Sequence, residues 1–179
     1  MFNISQRSSS QQGGIMGIAI NEFRDYIVRP TLKRLELWTP AAEALLVGTA
    51  IQESDLGSHM RLKHHRRLGI FQIDPLTHIA IWDNYLAKHP DLASNVRGLA
   101  SQKLFFSRPH GELIANLAYA TAIARLVYIR VKKPLPHAND IPSLAKYWHR
   151  HFHHKPSGSI DDFILHYKKA IAVQQHLAA

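Results

Sequence analysis

TPAAEALLVGTAIQESDLG, residues 39–57, carries the start and stop signals of one complete helix. Thr39 can cap its start, Pro40 suits its first position, and Gly57 can end it in a left-handed conformation. At helical spacing Glu53 falls on the same face as Leu46 and Ala50, so a carboxylate extends an apolar stripe. The stretch therefore predicts a core helix with a glutamate near its end.

A glutamate on an apolar face allows two interpretations. A buried carboxylate must be paired or must hold its proton, and holding a proton near neutral pH is what a general acid for glycoside cleavage requires. The alternative is a partly exposed glutamate near a helix end, the usual position for a charged residue. The helix alone does not choose between them.

The sequence after this helix predicts a loop, a short strand or turn, and further helices. Residues 58–68, SHMRLKHHRRL, are basic and have no apolar period, which favours a loop, and GIFQI at 69–73 favours a short strand or turn. Asp74-Pro75 resembles a cap followed by proline, opening a helix to about Ala87. Four later helices are predicted over 91–104, 111–131, 141–154 and 160–177. The second of these is the most apolar and should be central, and Ser159 with Asp162 makes a capping-box start for the last.

Upstream, the pattern predicts a helix over 18–37 that Pro30 should kink or break. Residues 1–16, mostly Ser, Gln and Gly, are expected to be a flexible tail before a single mostly α-helical catalytic domain over 17–179. No run of residues has the length of a transmembrane span, and the N-terminus lacks the order of a secretory signal.

Composition narrows the classes of partner. The chain of 179 residues has a formal charge of +9, which predicts attraction to polyanions such as nucleic acid, anionic lipid or the acidic glycopeptide of bacterial walls. There is no cysteine, which excludes disulfides, thiolate metal sites and cysteine nucleophiles. Charge alone does not select among the polyanions.

Two segments together suggest a family. AIQESDLG at 50–57, followed after a loop by LGIFQI at 68–73, resembles the signature of the lysozyme-like superfamily, in particular lytic transglycosylases and goose-type lysozymes. AKYW at 145–148 stands where that superfamily often has Tyr-Asn. RPTL at 29–32, DPLTH at 74–78 and IWDNYL at 81–86 also resemble bacteriophage members. The resemblance covers about residues 20–175 and implies a lysozyme-like helical fold.

The same resemblance implies roles for single residues. Glu53 would be the catalytic acid and then base, Ser54 would support the site by hydrogen bonding, and Gln72 would bind the sugar or its N-acetyl group. Tyr147 would position Glu53 or the saccharide. Among the aromatic side chains that can stack on sugars, Trp148 is the one we select. The substrate would be the glycan strand of peptidoglycan, with no cofactor, and delivery to the wall by other virion proteins stays open.

The carboxylates near Glu53 bear on the mechanism. Ordinary glycosidases use two. Asp55 points away from the Glu53 face, and Asp74 is better explained as a helix cap, so a reaction with one carboxylate and an anhydro product is favoured. Attack by water, which would make the protein a true lysozyme, remains the alternative.

Two other features of the sequence, its histidine spacing and its basic clusters, bear on other functions. His149 and His153 have the i, i+4 spacing of two zinc ligands, but a specific metal site is not predicted because that spacing is common. RLKHHRR and RVKK with the +9 charge suit a basic virion structural or nucleic-acid-binding protein without enzymatic activity. Against this alternative, the basic residues are scattered and no known DNA-binding motif is present.

Overall fold

The computed structural model describes residues 17–60, 66–152 and 157–177, and the fold is mostly helical. The predicted tail, residues 61–65 of the basic loop and residues 153–156 lie outside the described part. In chain order the helices are α1 (residues 20–34), α2 (Pro40–Ser54), α3 (residues 75–88), α4 (Pro90–Arg97), α5 (Gln102–Ser107), α6 (Glu112–Ala115), α7 (Leu117–Ile129), α8 (Ile141–His151) and α9 (Ile160–Leu177).

Pro30 alters α1 without breaking it. The helix widens into a π-helical stretch over Phe23–Val28 and returns to α geometry over Arg29–Arg34. Proline has no N–H to donate to the preceding turn, and a wider turn accommodates the missing bond. The predicted helix over 18–37 is therefore real but shorter, and it is widened rather than broken.

The predicted start of α2 is confirmed, and its predicted end is two residues too late. Thr39 accepts a hydrogen bond from the Ala42 N–H, and Pro40 occupies the first position. The helix ends at Ser54, after which Asp55, Leu56 and Gly57 all have positive φ, at 49°, 53° and 88°. The left-handed turn thus begins at Asp55, a residue type that tolerates this conformation, rather than at the glycine.

Residues 68–73 form a tight turn rather than a strand. Leu68 and Ile73 exchange both backbone hydrogen bonds, at 3.0 and 2.9 Å, as an isolated antiparallel pair. Gly69 has φ of 75°, and a Cβ there would lie 1.7 Å from the Leu113 carbonyl oxygen. Only glycine allows the turn to pack this closely on α6.

The two long helices predicted next are each divided. α4 and α5 are separate, and the stretch predicted as 111–131 turns by 107° between its two arms. Asn116 makes the bend, since its side chain accepts from the Tyr119 N–H to cap α7 and donates to the Leu99 carbonyl and to Glu112. α7 beyond the bend is the buried central helix that was predicted.

The C-terminal helices complete the core around the end of α2. The capping box of α9 is confirmed, because Ser159 N donates to Asp162 Oδ2 at 2.8 Å and Asp162 N donates to Ser159 Oγ at 3.1 Å. Gly48 lets α9 pack on α2, since a Cβ there would meet the Phe163 ring at 2.4 Å. This packing brings α8 and residues 157–159 to the end of α2 that carries Glu53.

Within the described residues, no single helix has the length and apolar character needed to cross a membrane. The pair Pro109–Ala115 and Leu117–Ile129 meets both conditions only when its two bent arms are counted together.

Candidate active site

Glu53 lies one residue before the end of α2, and only 4% of its surface is exposed. Its Oε1 accepts a hydrogen bond from Trp148 Nε1 at 2.9 Å, and its Oε2 accepts one from Ser157 Oγ at 2.9 Å. The two donors come from α8 and from the segment before α9, so three parts of the chain meet at this carboxylate.

The two carboxylate oxygens face different surroundings. Trp148 is fully buried, whereas Ser157 is exposed. Oε1 is therefore bonded by a core side chain, and Oε2 by a side chain at the surface. Two such hydrogen bonds fix the orientation of the carboxylate, as a group that exchanges a proton with a bound molecule requires.

Two further glutamates are buried in the described part of the chain, and both support the fold. Glu43 accepts hydrogen bonds from Arg29 at 2.8 and 2.7 Å and from Trp38 Nε1 at 2.6 Å. Burial tends to raise the pKa of Glu43, but the bonds from Arg29 and Trp38 outweigh it and leave the pKa below its ordinary value. Glu112 accepts from the backbone and hydroxyl of Ser101 and from Asn116.

Ser54 links the end of α2 to the turn at 68–73. Its Oγ donates to the Ile70 carbonyl at 2.6 Å and accepts from the Gly57 N–H at 2.9 Å. The side chain is fully buried. It can support the site by hydrogen bonding, as expected, but it has no surface to offer a ligand.

Gln72 braces the same turn. The residue is 3% exposed with φ of 48°, and its Nε2 donates to the Gly69 carbonyl at 2.7 Å and to the His59 carbonyl at 3.3 Å. Gln72 thus belongs to the same turn that Ser54 binds through the Ile70 carbonyl. In this conformation its amide nitrogen is occupied by the backbone rather than directed to a ligand.

Trp148 differs from what the sequence suggested, and Tyr147 lies apart from Glu53. Trp148 is fully buried and packs on Phe163 with ring centroids 5.2 Å apart, so it offers no face to a sugar. Its contribution is the N–H that holds Glu53. Tyr147 lies on another side of α8, where its hydroxyl donates to the Lys133 carbonyl at 3.0 Å. The Tyr147 hydroxyl therefore donates to the backbone and not to Glu53.

The candidate second carboxylates have other tasks. Asp55 is exposed in the left-handed turn, and Asp74 accepts from the Leu76 N–H as the cap of α3. Asp162, the partner of Ser159 in the capping box of α9, lies shortly after Ser157. Hydrogen bonds from Ser159 lower the pKa of Asp162, so it is an ionised cap.

Sequence reasoning missed Ser157. It precedes Gly158, where a Cβ would lie 2.5 Å from Gln52 Nε2, so the segment passes very close to α2. The turn-like residues Pro156, Ser157 and Gly158 signalled a loop, but nothing in their spacing connected that loop to a glutamate 104 residues earlier.

A basic pocket opens beside the turn at 68–73. It encloses about 500 Å³, and its polar lining comes from Arg66, Asp74, Arg108 and His110. Behind it, His78 is buried between His110, at 2.9 Å, and the Tyr119 hydroxyl, at 2.6 Å. The surplus of cationic side chains favours an anionic ligand at this surface.

No three His, Asp or Glu side chains come together as a metal site within the described ranges, and His153 lies outside them. Comparison of the chain with protein-family models, with curated proteins and with solved structures finds no match.

Proposed function

We propose that this protein is a lysozyme-like enzyme that cleaves the glycan strands of peptidoglycan, with Glu53 as the single catalytic acid and base. The observation that carries the proposal is the placement of Glu53, buried at a helix end with Oε1 bonded by the buried Trp148 and Oε2 by the exposed Ser157. The Glu-Ser helix end and the Gly-x-x-Gln turn of the lysozyme-like signature are joined by the Ser54–Ile70 hydrogen bond, which supports the family assignment.

One carboxylate can serve both halves of a transglycosylase reaction. Protonated Glu53 gives its proton to the glycosidic oxygen as the bond from that oxygen to C1 breaks, and the N-acetyl group of the substrate stabilises the positive charge at C1. The Glu53 carboxylate then takes the proton of the sugar's 6-hydroxyl while the oxygen of that hydroxyl bonds to C1. The product is an anhydro sugar, and Glu53 regains its proton.

The neighbours of Glu53 have positioning roles in this scheme. Trp148 fixes Oε1, while the Ser157 hydroxyl occupies the place at Oε2 that the glycosidic oxygen takes in the complex. The pocket with Arg66, Arg108 and His110 supplies positive charge for the acidic groups of the wall polymer.

The test is the Glu53→Gln variant with Asp55→Asn as its matched control. Both changes replace one carboxylate by its amide within the same helix end, but Asp55 is exposed and points elsewhere. We expect Glu53→Gln to lose about 10²–10⁴-fold of the rate of sacculus clearance, and Asp55→Asn to keep most of it. If Glu53→Gln keeps over half the wild-type rate at an unchanged melting temperature, the assignment is wrong.

The alternative from another class is a basic virion structural or nucleic-acid-binding protein without activity, supported by the charge of +9. It predicts that wild-type protein releases nothing from sacculi and that duplex DNA binds at least as tightly as sacculi do.

A further inference from the structure

A second pocket, of about 460 Å³, lies near the opposite end of α2 from Glu53. Its walls come from the start of α2, the end of α7, residues 133–135 and Tyr147 of α8. Ala41 on its wall precedes Glu53 by twelve residues, which is about 18 Å along the helix axis. The pocket is therefore distinct from the site at Glu53.

Arg125 of α7 lines this pocket with a guanidinium that lacks a structural partner. Among the described residues its buried Nε has no hydrogen-bond partner, and none of those that line the pocket carries a carboxylate. Burial lowers the pKa of Arg125. Arg29 shows the usual alternative in the same chain, since it is paired with both Glu43 and Asp25. An unpaired cation taken partly out of water costs free energy, so Arg125 is unexplained by the fold.

The polar groups around Arg125 do not supply the missing negative charge. Tyr85, Tyr128 and Tyr147 are near enough to interact with it electrostatically. Burial raises the pKa of each of these phenols, so all three are neutral at physiological pH. The residues that line the pocket therefore supply no negative charge to Arg125.

We propose that this pocket binds an organic oxyanion, a carboxylate or phosphate group carried on an aliphatic or aromatic body, with Arg125 pairing the anionic group. The fork of an arginine matches either oxyanion, and Lys133 adds a second positive charge. Ile129, Pro134, Leu135 and the Tyr147 ring form the apolar wall for the body of the ligand. An adjoining pocket of about 350 Å³ shares Lys133 and Tyr147 and continues the cationic surface with Lys146 and Arg150.

The test measures binding of four small probes by amide NMR shifts of the full chain. The probes are phenyl phosphate, benzoate, inorganic phosphate and benzyl alcohol. We expect phenyl phosphate and benzoate to shift Ile129 and Leu135, inorganic phosphate to bind more weakly, and benzyl alcohol not to bind measurably. Arg125→Met should weaken both aromatic anions at least about tenfold, whereas the exposed charge control Lys169→Gln should not.

Stability separates a ligand group from a structural one. Arg125→Met should melt at or above the wild-type temperature, because it removes a partly buried charge without leaving a partner unpaired. A large fall in melting temperature in both Arg125→Met and Arg125→Gln would show that the guanidinium has a structural role and would overturn the proposal. So would equal binding of benzyl alcohol, equal binding of inorganic phosphate, or the absence of binding by either aromatic anion.

Discussion

Three buried glutamates show how differently one functional group is used in this chain. Glu43 is paired with a cation, and Glu112 accepts hydrogen bonds from Ser101 and Asn116, the N-cap residues of two helices. Glu53 instead bridges a core tryptophan and an exposed serine. The amide of Glu53→Gln can still accept from Trp148 and can donate to the Ser157 oxygen, which is why that variant should fold while losing its acid.

Ser54 gives a prediction that concerns stability rather than chemistry. Ser54→Ala leaves the buried Ile70 carbonyl and the Gly57 N–H without their hydroxyl partner, so the free energy of unfolding should fall by about 1–3 kcal/mol. Ser107→Ala is the control, because the Ser107 hydroxyl donates to the Lys103 carbonyl one turn earlier on an exposed helix. Its loss should lower the free energy of unfolding by less than about 0.5 kcal/mol. Chemical denaturation of both variants checks this, and equal costs would contradict it.

His78 predicts a specific pH dependence. Burial, aided by the nearby His110, lowers the pKa of His78 to about 4 from its ordinary 6.5. Between these values the unfolded chain binds a proton that the folded chain does not, so stability is complete above pH 6.5 and is lost as the pH falls towards 4. The loss from this residue should be on the order of 2–3 kcal/mol.

The measurement for His78 is the free energy of unfolding from pH 7 to pH 4. His78→Gln should flatten the slope across this window, whereas His89→Gln, at an exposed position, should leave it unchanged. A wild-type slope that persists in His78→Gln would assign the proton uptake to other groups.

Among the elements, the turn at 68–73 should be the most sensitive to a small substitution. Gly69→Ala places a methyl group 1.7 Å from the Leu113 carbonyl, so the turn or α6 must move. Gly57→Ala meets the same positive-φ restriction, but the nearest atom to its Cβ is Met60 Sδ at 3.5 Å. We expect Gly57→Ala to cost about 1–2 kcal/mol and Gly69→Ala at least about 2 kcal/mol more.

Activity should follow the same order. Because Ser54 ties this turn to the Glu53 end of α2, Gly69→Ala should reduce sacculus clearance more than its loss of folded protein explains. Equal stability and activity of the two alanine variants would show that the turn does not organise the site.

Helix starts were predictable from sequence because caps act locally. Thr39, Asp74 and Ser159 each bond a backbone N–H within three residues, so their type and spacing carry the information. The bend at Asn116 was not predictable, because the apolar period runs through it and its side chain is held by Leu99, seventeen residues earlier. The apolar period therefore predicts the two helices correctly but not the bend between them.

In the candidate site, too, contacts between residues close in the chain were predictable and contacts between distant residues were not. Glu53, Ser54 and the turn at 68–73 are close in the chain, and the resemblance to the lysozyme-like signature implies that they belong to one site. The Trp148 and Ser157 contacts depend on how α8 and α9 pack on α2, at sequence separations of 95 and 104 from Glu53. No local pattern encodes such contacts, which is also why Trp148 was assigned to the sugar and not to Glu53.

For the molecule as a whole, the charge of +9 predicts wall binding that weakens with salt. Exposed charges are screened within roughly 8 Å at physiological ionic strength, so the basic loop should matter most at low salt. The loop variant replaces four cations by Gln: Arg61, Lys63, Arg66 and Arg67. The control replaces four exposed lysines elsewhere: Lys88, Lys103, Lys168 and Lys169.

Sacculus pull-down across a salt series distinguishes local from general attraction. The loop variant should bind less than the control and show a flatter salt dependence, because Arg66 belongs to the pocket beside the turn. If both variants lose the same amount of sacculus binding, only the net charge matters. The same conclusion follows if the loop variant loses duplex DNA binding to the same extent as sacculus binding.

The most direct measurement of the central claim is mass spectrometry of the soluble products released from purified peptidoglycan by wild-type protein and by Glu53→Gln. The account predicts anhydro-ended fragments from the wild type, none from Glu53→Gln, and anhydro fragments still from Asp55→Asn and Asp74→Asn. Reducing-end products that disappear in Asp74→Asn would contradict the single-carboxylate reaction and indicate a hydrolase. Release of no fragments by folded wild-type protein would contradict glycan cleavage altogether.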